Sequence, residues 1–168
     1  MKGTTSYRGI SKIYFHYLLS QIISIASLNS RDVSILDFGC GTNESKKKIG
    51  KKVIGFDIVK ELSDVLDWRV LDFKVVVANH VFYSLSKDEL ESFLKELGSR
   101  REKIELVVGM SRQGVLNNLG KNILGRKDAH VATKISPRIE VKILLKFCKL
   151  IKKRNVLFLS DIYWLELN

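Results

Sequence analysis

The sequence contains only two cysteines and one proline in 168 residues. Cys40 and Cys148 are too few and too far apart for a disulfide framework or a zinc site, which favours a reducing compartment and predicts a cytoplasmic protein. No low-complexity linker divides the chain, and 45% hydrophobic with 28% charged residues is typical of a folded protein. Length and composition together predict a single domain over residues 1–168.

A long hydrophobic run is also absent. The most apolar segment, residues 14–28, has 15 residues, whereas a helix that spans a bilayer needs roughly 20. Polar residues interrupt it, among them His16, Ser20, Gln21 and Ser24. These features predict no membrane span, and instead an amphipathic helix within an N-terminal helical cap over residues 1–30.

Negative charge is scarce in the C-terminal part of the chain. Of the net charge of +11, a surplus of +10 falls between Arg112 and Arg154, where 12 Lys and Arg residues stand against only Asp128 and Glu140. Clustered cations favour phosphate binding but carry no base specificity, so RNA is one candidate partner through the basic region 112–154. Abundant lysine and isoleucine are equally typical of a thermophile, in which such a surface serves solubility.

What the sequence does contain is a series of short, continuous apolar runs. They cover residues 33–38, 53–57, 75–78, 104–109, 155–160 and 163–167. Continuous Val and Ile runs are typical of parallel strands covered on both faces. The last two runs are joined too tightly for a helical crossover, so they are predicted to pair antiparallel. The predicted fold class is α/β, a Rossmann-like doubly wound sheet of about seven strands, mostly parallel with an antiparallel C-terminal hairpin.

Two helix starts are predicted between these runs. Ser86 with Glu89 three residues later forms a capping box ahead of an amphipathic helix. Ser136 followed by Pro137 begins a second helix, predicted to be the longest, whose apolar positions extend to Ile151. Its basic residues are predicted to form one outer stripe: Arg138, Lys142, Lys146, Lys149 and Lys153.

The first apolar run ends in a glycine-rich turn, ILDFGCGTN, at residues 35–43. Gly39 and Gly41 remove side chains that would keep a ligand from the backbone, and the N–H groups of the helix predicted to follow point into the same space. Asp37 precedes the turn and is placed to meet a cationic amino group. Asp57, at the end of the next run, can accept hydrogen bonds from the 2′- and 3′-hydroxyls of a ribose.

The third glycine of a dinucleotide fingerprint, expected near residue 44, is missing, so NAD is the poorer interpretation. A ligand with a ribose at one end and an ammonium at the other suits the two acids better. At this point the sequence resembles the class I S-adenosylmethionine-dependent methyltransferases. ILDFGCGTN is similar to that family's first motif and GFDI, residues 55–58, to its second. Residues 74–97 resemble the fourth strand and following helix of its small-molecule branch, often called type 11.

The resemblance implies S-adenosylmethionine as the cofactor and a set of residues that bind it. These are Asp37, Gly39, Cys40 and Gly41 at the turn, Asp57 and Ile58 at the ribose, Asp67 and Trp68 at the adenine, and Asn79 beside the methyl-bearing sulfur. Arg8 and Tyr7 are further candidates, which would contact the carboxylate of the cofactor. Only nine residues separate Asp57 from Asp67, which leaves room for at most a short helical turn where the family has a full helix.

Methyl transfer from a sulfonium needs alignment of the acceptor more than a dedicated catalytic group. If the acceptor is a hydroxyl, a base assists the transfer. His80, directly after the run at 75–78, is the first candidate for this base and His130 the second, with a structural role as the alternative for both. No metal site is predicted, because the sequence shows no acid cluster resembling that of catechol-type enzymes.

Residues 110–135 are predicted to form an acceptor-side insert. Leu and Ile alternate with Arg and Lys there, which suits an amphipathic lid over an acidic or amphiphilic acceptor, with a solvated surface helix as the alternative. The sequence lacks the Asn-Pro-Pro-aromatic run and the Pro-Cys pair of enzymes that methylate nucleic-acid bases. The expected function is therefore methyl transfer to a small-molecule or lipid-like acceptor. An RNA methyltransferase and a non-catalytic S-adenosylmethionine-binding module are the alternatives.

Overall fold

A computed structural model of the protein describes residues 9–112 and 133–168. The helices are α1 (Gly9–Ile25), α2 (Glu44–Ile49), α3 (Lys87–Gly98) and α4 (Pro137–Phe147). The strands are β1 (Ile35–Phe38), β2 (Val53–Phe56), β3 (Val75–Asn79), β4 (Glu105–Ser111), β5 (Cys148–Val156) and β6 (Ser160–Leu167). Short 3-10 helices cover Lys60–Leu62, Trp68–Val70 and Phe82–Ser84.

The strands form one sheet in the order β2-β1-β3-β4-β6-β5. β2, β1, β3 and β4 pair in parallel, and β6 pairs antiparallel with both β4 and β5. This confirms the predicted fold class, except that the described residues form six strands rather than about seven. The shortfall has a local reason, because residues 57–74, which connect β2 to β3, form only two short 3-10 helices and no strand.

Both faces of the sheet are covered, which explains the continuous apolar runs. One core cluster packs the sheet against α3 and α4, and a second packs it against α1. In β3 four consecutive side chains are fully buried, two of them in each cluster: Val75, Val76, Val77 and Ala78. A strand buried on both faces has no solvent side to make polar, so alternation is not expected there.

The predicted helix starts are present. Ser86 accepts a hydrogen bond from the Glu89 N–H (3.2 Å), and the Glu89 carboxylate accepts one from the Ser86 N–H (2.6 Å), which completes the capping box. Ser136 likewise accepts a bond from the Ile139 N–H (3.4 Å), with Pro137 in the first turn of α4.

The predicted extent of the second helix is wrong. α4 ends at Phe147, and the next nine residues form the edge strand β5, so Lys149 and Lys153 lie on a strand and the outer helical stripe does not exist. The hairpin turn accordingly falls at 157–159, not between the predicted runs at 161–162. An edge strand tolerates lysine on both sides, and lysine there blocks pairing with another chain, so the basic spacing did not require a helix. The longest helix described is α1, with 17 residues.

The carboxyl ends of the parallel strands meet at one edge of the sheet, here called the carboxyl edge. The chain crosses from β1 to β2 on one side and to β3 on the other, so the strand order reverses at β1. Such a point leaves a crevice in which ligands of doubly wound sheets bind. No helix within residues 9–112 and 133–168 is both long and apolar enough to cross a membrane.

Candidate functional site

The turn after β1 has three residues in the left-handed backbone region, Gly39 (φ 76°), Gly41 (φ 51°) and Asn43 (φ 58°). Asparagine tolerates this region, so Asn43 takes the place of a third glycine at the start of α2. The N–H groups of Gly39 and Cys40 both donate to the Phe56 carbonyl, at 2.7 and 3.1 Å. These bonds hold the turn against the end of β2.

Gly39 is required for a protein contact. A Cβ atom at this position would overlap both γ-methyl groups of Val81, the second residue after β3. The sequence-based reason for this glycine was open access for a ligand, but here the space beside its Cα is filled by Val81. The close approach joins the turn after β1 to the loop after β3.

Asp57 is held by the backbone on both sides of its carboxylate. Its Oδ2 accepts from the Gly41 N–H and its Oδ1 from the Val59 N–H, both at 3.0 Å. Each carboxylate oxygen can accept a second bond, so two acceptors remain for a ligand in a fixed orientation. The neighbouring Ile58 side chain is almost fully exposed at the same edge.

Asp37 lies beneath the turn and is buried. Its pKa is raised to about 7, mainly by burial and also by the charges of Asp57 and Asp64, against the lowering effect of a hydrogen bond from the Ser45 hydroxyl. Three carboxyl groups therefore share one region behind the turn. Asp64 is already paired with Lys46 (2.8 Å), so a cationic ligand would act mainly on Asp37 and Asp57, whose ionised forms a nearby positive charge stabilises.

The side chain of Cys40 packs against β2 and the segment that follows it. Its thiol donates to the Leu62 carbonyl (3.4 Å), and a Cβ atom on Gly55 would lie 2.7 Å from its sulfur. Burial raises the pKa of this thiol to about 12, so it stays neutral. Cys40 thus packs the turn onto β2, and its N–H is already bonded to Phe56.

Asp67 and Trp68 follow the short 3-10 helix at Lys60–Leu62, which matches the limited space predicted before them. The Asp67 carboxylate accepts from the Arg69 N–H (3.0 Å) and guanidinium (3.2 Å), and the backbone bond is the main cause of its lowered pKa. The Trp68 ring is buried against Phe93, with centroids 5.2 Å apart. In this conformation Trp68 is a core residue.

Asn79, the last residue of β3, has a buried Oδ1 atom for which the described residues provide no hydrogen-bond donor. A Cβ atom on Gly109 would lie 2.7 Å from this oxygen, so glycine at that position makes room for it. Buried acceptors without a partner are rare and costly in native proteins. A ligand donor that reached this buried acceptor at the carboxyl edge would satisfy it.

His80 is held by serine hydroxyls at both ring nitrogens. Nδ1 lies 3.2 Å from Ser111 Oγ and Nε2 lies 3.2 Å from Ser160 Oγ. Ser160 in turn bonds to the Tyr14 hydroxyl of α1 at 2.6 Å. Sequence reasoning missed this chain of hydroxyls, because its members come from the three separate elements α1, β4 and β6 and no short motif connects them to His80.

Some predicted residues lie outside the described part of the chain. They are Tyr7, Arg8, His130 and residues 113–132 of the predicted acceptor-side insert. In the described ranges, no group of three or more His, Cys, Asp or Glu side chains is arranged to hold a metal ion.

Neither a protein-family model nor a curated protein matches this sequence. Solved structures do match it. The magnesium protoporphyrin IX methyltransferase from Synechocystis PCC 6803, solved with bound SAH, superposes with a TM-score of 0.65 at 16% identity, covering 99% of this chain and 90% of that one. The N-methyltransferase NodS from Bradyrhizobium japonicum, in complex with S-adenosyl-L-homocysteine, superposes with a TM-score of 0.65 at 15% identity, covering 99% and 93%.

This chain has the class I methyltransferase fold. A SAM-dependent methyltransferase from Aquifex aeolicus gives the same result, with a TM-score of 0.64 at 14% identity over 89% of both chains. Identities this low establish the methyltransferase fold alone, since one fold hosts many activities. The chemistry of this chain has to be argued from its own residues.

Proposed function

We propose that the protein is an S-adenosylmethionine-dependent methyltransferase whose cofactor binds over the turn at Gly39–Gly41. The observation that carries the proposal is the position of Asp57. Its carboxylate is anchored by the N–H groups of Gly41 and Val59 at the strand-order reversal, with one acceptor per oxygen left for a ribose diol. The solved methyltransferases with this fold that contain bound SAH support the same ligand class.

The remaining polar groups fit the rest of such a cofactor. Asp37, buried and close to two further acids, suits the ammonium of the methionine part. The unpaired Oδ1 of Asn79 offers an acceptor at the end of β3. Ile58 provides an exposed apolar surface beside the ribose position. Asp67 keeps its second carboxylate oxygen free for an adenine amino group, because only Oδ1 bonds to Arg69.

Bound S-adenosylmethionine would supply an activated methyl group, so the protein's task is to align the acceptor and exclude water. We propose a small-molecule or lipid-like acceptor. His80 is a base candidate with a constraint, because each ring nitrogen already has a serine hydroxyl partner. To accept a proton from an acceptor hydroxyl, His80 would have to break one of these two hydrogen bonds. A neutral amine acceptor would need no base.

The cations of the basic region 112–154 give weaker support to RNA as the acceptor. Several cations of the basic region are engaged within the protein: Lys134 with Glu89, Lys146 with Glu91, Lys153 with Asp161 and Arg154 with Gln21. Cations paired in this way are less available to release counterions from a phosphate backbone. Transfer of labelled methyl groups into RNA, with affinity that falls steeply with salt, would establish the RNA alternative.

Calorimetric titration with S-adenosylhomocysteine tests the cofactor proposal. We expect binding by the wild type and a loss of at least about tenfold in affinity in Asp57→Ala, since each hydrogen bond to a charged group contributes roughly 1.5–3 kcal/mol. Asp72→Ala, an exposed acid of the same connection, is the matched control and should bind normally. Absence of binding heat in the wild type would exclude both an enzyme and a non-catalytic binding module.

Tritiated-methyl transfer into fractionated extract then separates the enzyme from the binding module. An enzyme labels a small-molecule or lipid fraction, whereas a binding module labels none. His80→Ala should leave S-adenosylhomocysteine binding unchanged. Methyl labelling by His80→Ala should be compared with labelling by His80→Asn, in which the side chain keeps hydrogen bonding but cannot act as a base. Loss of labelling in both variants indicates a base, whereas labelling that His80→Asn retains indicates a structural role.

A further inference from the structure

The turn of the β5–β6 hairpin carries two large apolar side chains in an unfavourable backbone conformation. Leu157 (φ 49°) and Phe158 (φ 58°) are both left-handed, a region that asparagine and glycine occupy with less strain. They are 58% and 66% exposed. The turn is nevertheless fixed, since the Phe158 N–H donates to Asn155 Oδ1 and the Leu159 N–H to the Val156 carbonyl, both at 3.1 Å. Neither burial nor backbone preference explains these residue types.

The turn lies at the carboxyl edge of the sheet. β6 runs antiparallel to β4, and its first residue, Ser160, is paired with Ser111 at the end of β4. The Arg112 N–H donates to the Leu159 carbonyl (2.9 Å), which joins the turn to the segment that leaves β4. Leu157 and Phe158 are therefore exposed at the same edge as Asn79 and the glycine turn.

α1 adds exposed apolar residues to the same corner. The Arg154 guanidinium bonds to Gln21 Oε1 (2.8 Å), so this face of α1 lies along β5. Tyr17 and Ile13 are one and two helical turns before Gln21, in the direction of the carboxyl edge, where the Tyr14 hydroxyl meets Ser160. Both side chains are exposed, Ile13 by 71%. We call Ile13, Tyr17, Leu157 and Phe158 the apolar corner.

The exposed charges nearest the apolar corner are mostly basic, and the nearby Asp161 is paired with Lys153 at 3.0 Å. α1 contains Lys12 and no acid, and the half of β5 next to the turn contains Lys152, while Lys153 and Arg154 beside it are bonded to Asp161 and Gln21. Arg112 follows β4 beside the turn. Exposed apolar side chains bordered by cations are the combination that binds the interface of an anionic bilayer, where the apolar groups insert and the cations meet lipid headgroups.

We propose that the apolar corner docks the protein on an anionic lipid surface, with Leu157 and Phe158 inserted. A convex turn with two protruding side chains suits insertion between headgroups, whereas RNA binding would favour a basic groove with stacking aromatics, and Leu157 and Ile13 cannot stack on bases. Docking in this way places the carboxyl edge, and with it the candidate site, against the membrane. An amphiphilic acceptor would then be reached without leaving the bilayer.

Co-sedimentation of the full chain with lipid vesicles tests this. We expect binding to phosphatidylcholine vesicles that contain phosphatidylglycerol, and weak binding to phosphatidylcholine alone. The double variant Leu157→Asn, Phe158→Gly should lose about tenfold or more of the vesicle binding. It should melt no lower than the wild type, because asparagine and glycine suit the left-handed turn. A melting temperature that holds shows that lost binding is not lost folding.

The matched control is Leu66→Ser, Val70→Ser. These two apolar residues are at least as exposed but lie in the connection that follows β2, the edge strand on the other side of the sheet from β5, and their replacement should leave vesicle binding unchanged. The proposal is overturned if the wild type does not bind anionic vesicles or if the turn variant binds them as strongly as the wild type does. It is also overturned if the turn variant loses single-stranded RNA binding instead. S-adenosylhomocysteine affinity, which the turn variant should retain, reports separately on the proposed methyltransferase function.

Discussion

Glu140 provides the sharpest test of the core packing. It lies in the first turn of α4, on the face shared with Ile143 and Leu144, and only 2% of its surface is exposed. Within the described residues nothing donates a hydrogen bond or forms an ion pair with its carboxyl group. Burial alone raises its pKa from 4.5 to about 8. The folded protein therefore holds Glu140 as a neutral acid at pH 7.

This raised pKa makes stability fall as the pH rises. Below pH 4.5 the carboxyl is protonated in both states and has no pH-dependent effect. Between pH 4.5 and about 8 the unfolded chain releases the proton while the folded protein keeps it, so unfolding becomes progressively easier. The difference between 4.5 and about 8, at 1.36 kcal/mol for each unit of pKa, corresponds to about 5 kcal/mol of stability lost by pH 9.

Glu140→Gln replaces the acid by a neutral group of the same shape. Urea unfolding should show the variant about 5 kcal/mol more stable than the wild type at pH 9, and within about 1 kcal/mol of it at pH 4.5. The buried Asp37 adds pH dependence of the same direction, but it is present in both proteins and cancels. Glu102→Gln, at an exposed acid, should shift neither value. An equal gain for Glu140→Gln at both pH values would refute the assignment of a buried neutral acid.

Three further predictions concern the candidate site and the contacts that stabilise the surrounding fold. Because a ligand ammonium favours ionised Asp37, whose pKa is about 7, S-adenosylhomocysteine affinity should rise with pH through neutrality. Calorimetry in buffers of different ionisation enthalpy should detect the release of a proton on binding, and Asp37→Asn should abolish this proton release. Gly39→Ala should cost about 1–3 kcal/mol of stability in thermal unfolding through its positive φ and the overlap with Val81, and Val81→Ala in the same chain should restore part of the loss but not the strain. Arg31→Lys should cost about 1–2 kcal/mol in urea unfolding, since it breaks the paired bonds of 2.7 Å to Glu105, and no loss would mean that the two-point contact contributes nothing.

The sheet and the turn after β1 could be predicted because their signals are local. Val75 to Ala78 read as a buried parallel strand from four adjacent letters, and the Gly39 turn followed by Asp57 places an acid at the carboxyl edge wherever β1 and β2 pair. The short segment between Asp57 and Asp67 likewise predicted that a full helix would be absent there. Each of these depends on residues that are neighbours in the chain.

What could not be predicted depends on contacts between distant residues. The helical spacing of lysines continues past Phe147, and only pairing with β6 turns that segment into a strand. Val81 fills the space beside Gly39, which a turn motif cannot reveal. Trp68 packs on Phe93 from another element, and burial rather than its position after Asp67 decides its surroundings.

A crystal structure of the protein grown with S-adenosylhomocysteine tests the central claim most directly. The account predicts the ribose hydroxyls on the two carboxylate oxygens of Asp57, the ligand ammonium on the Asp37 side of the turn, and a ligand group near the unpaired Oδ1 of Asn79. A ligand bound away from the carboxyl edge, or a ribose that makes no contact with Asp57, would contradict it.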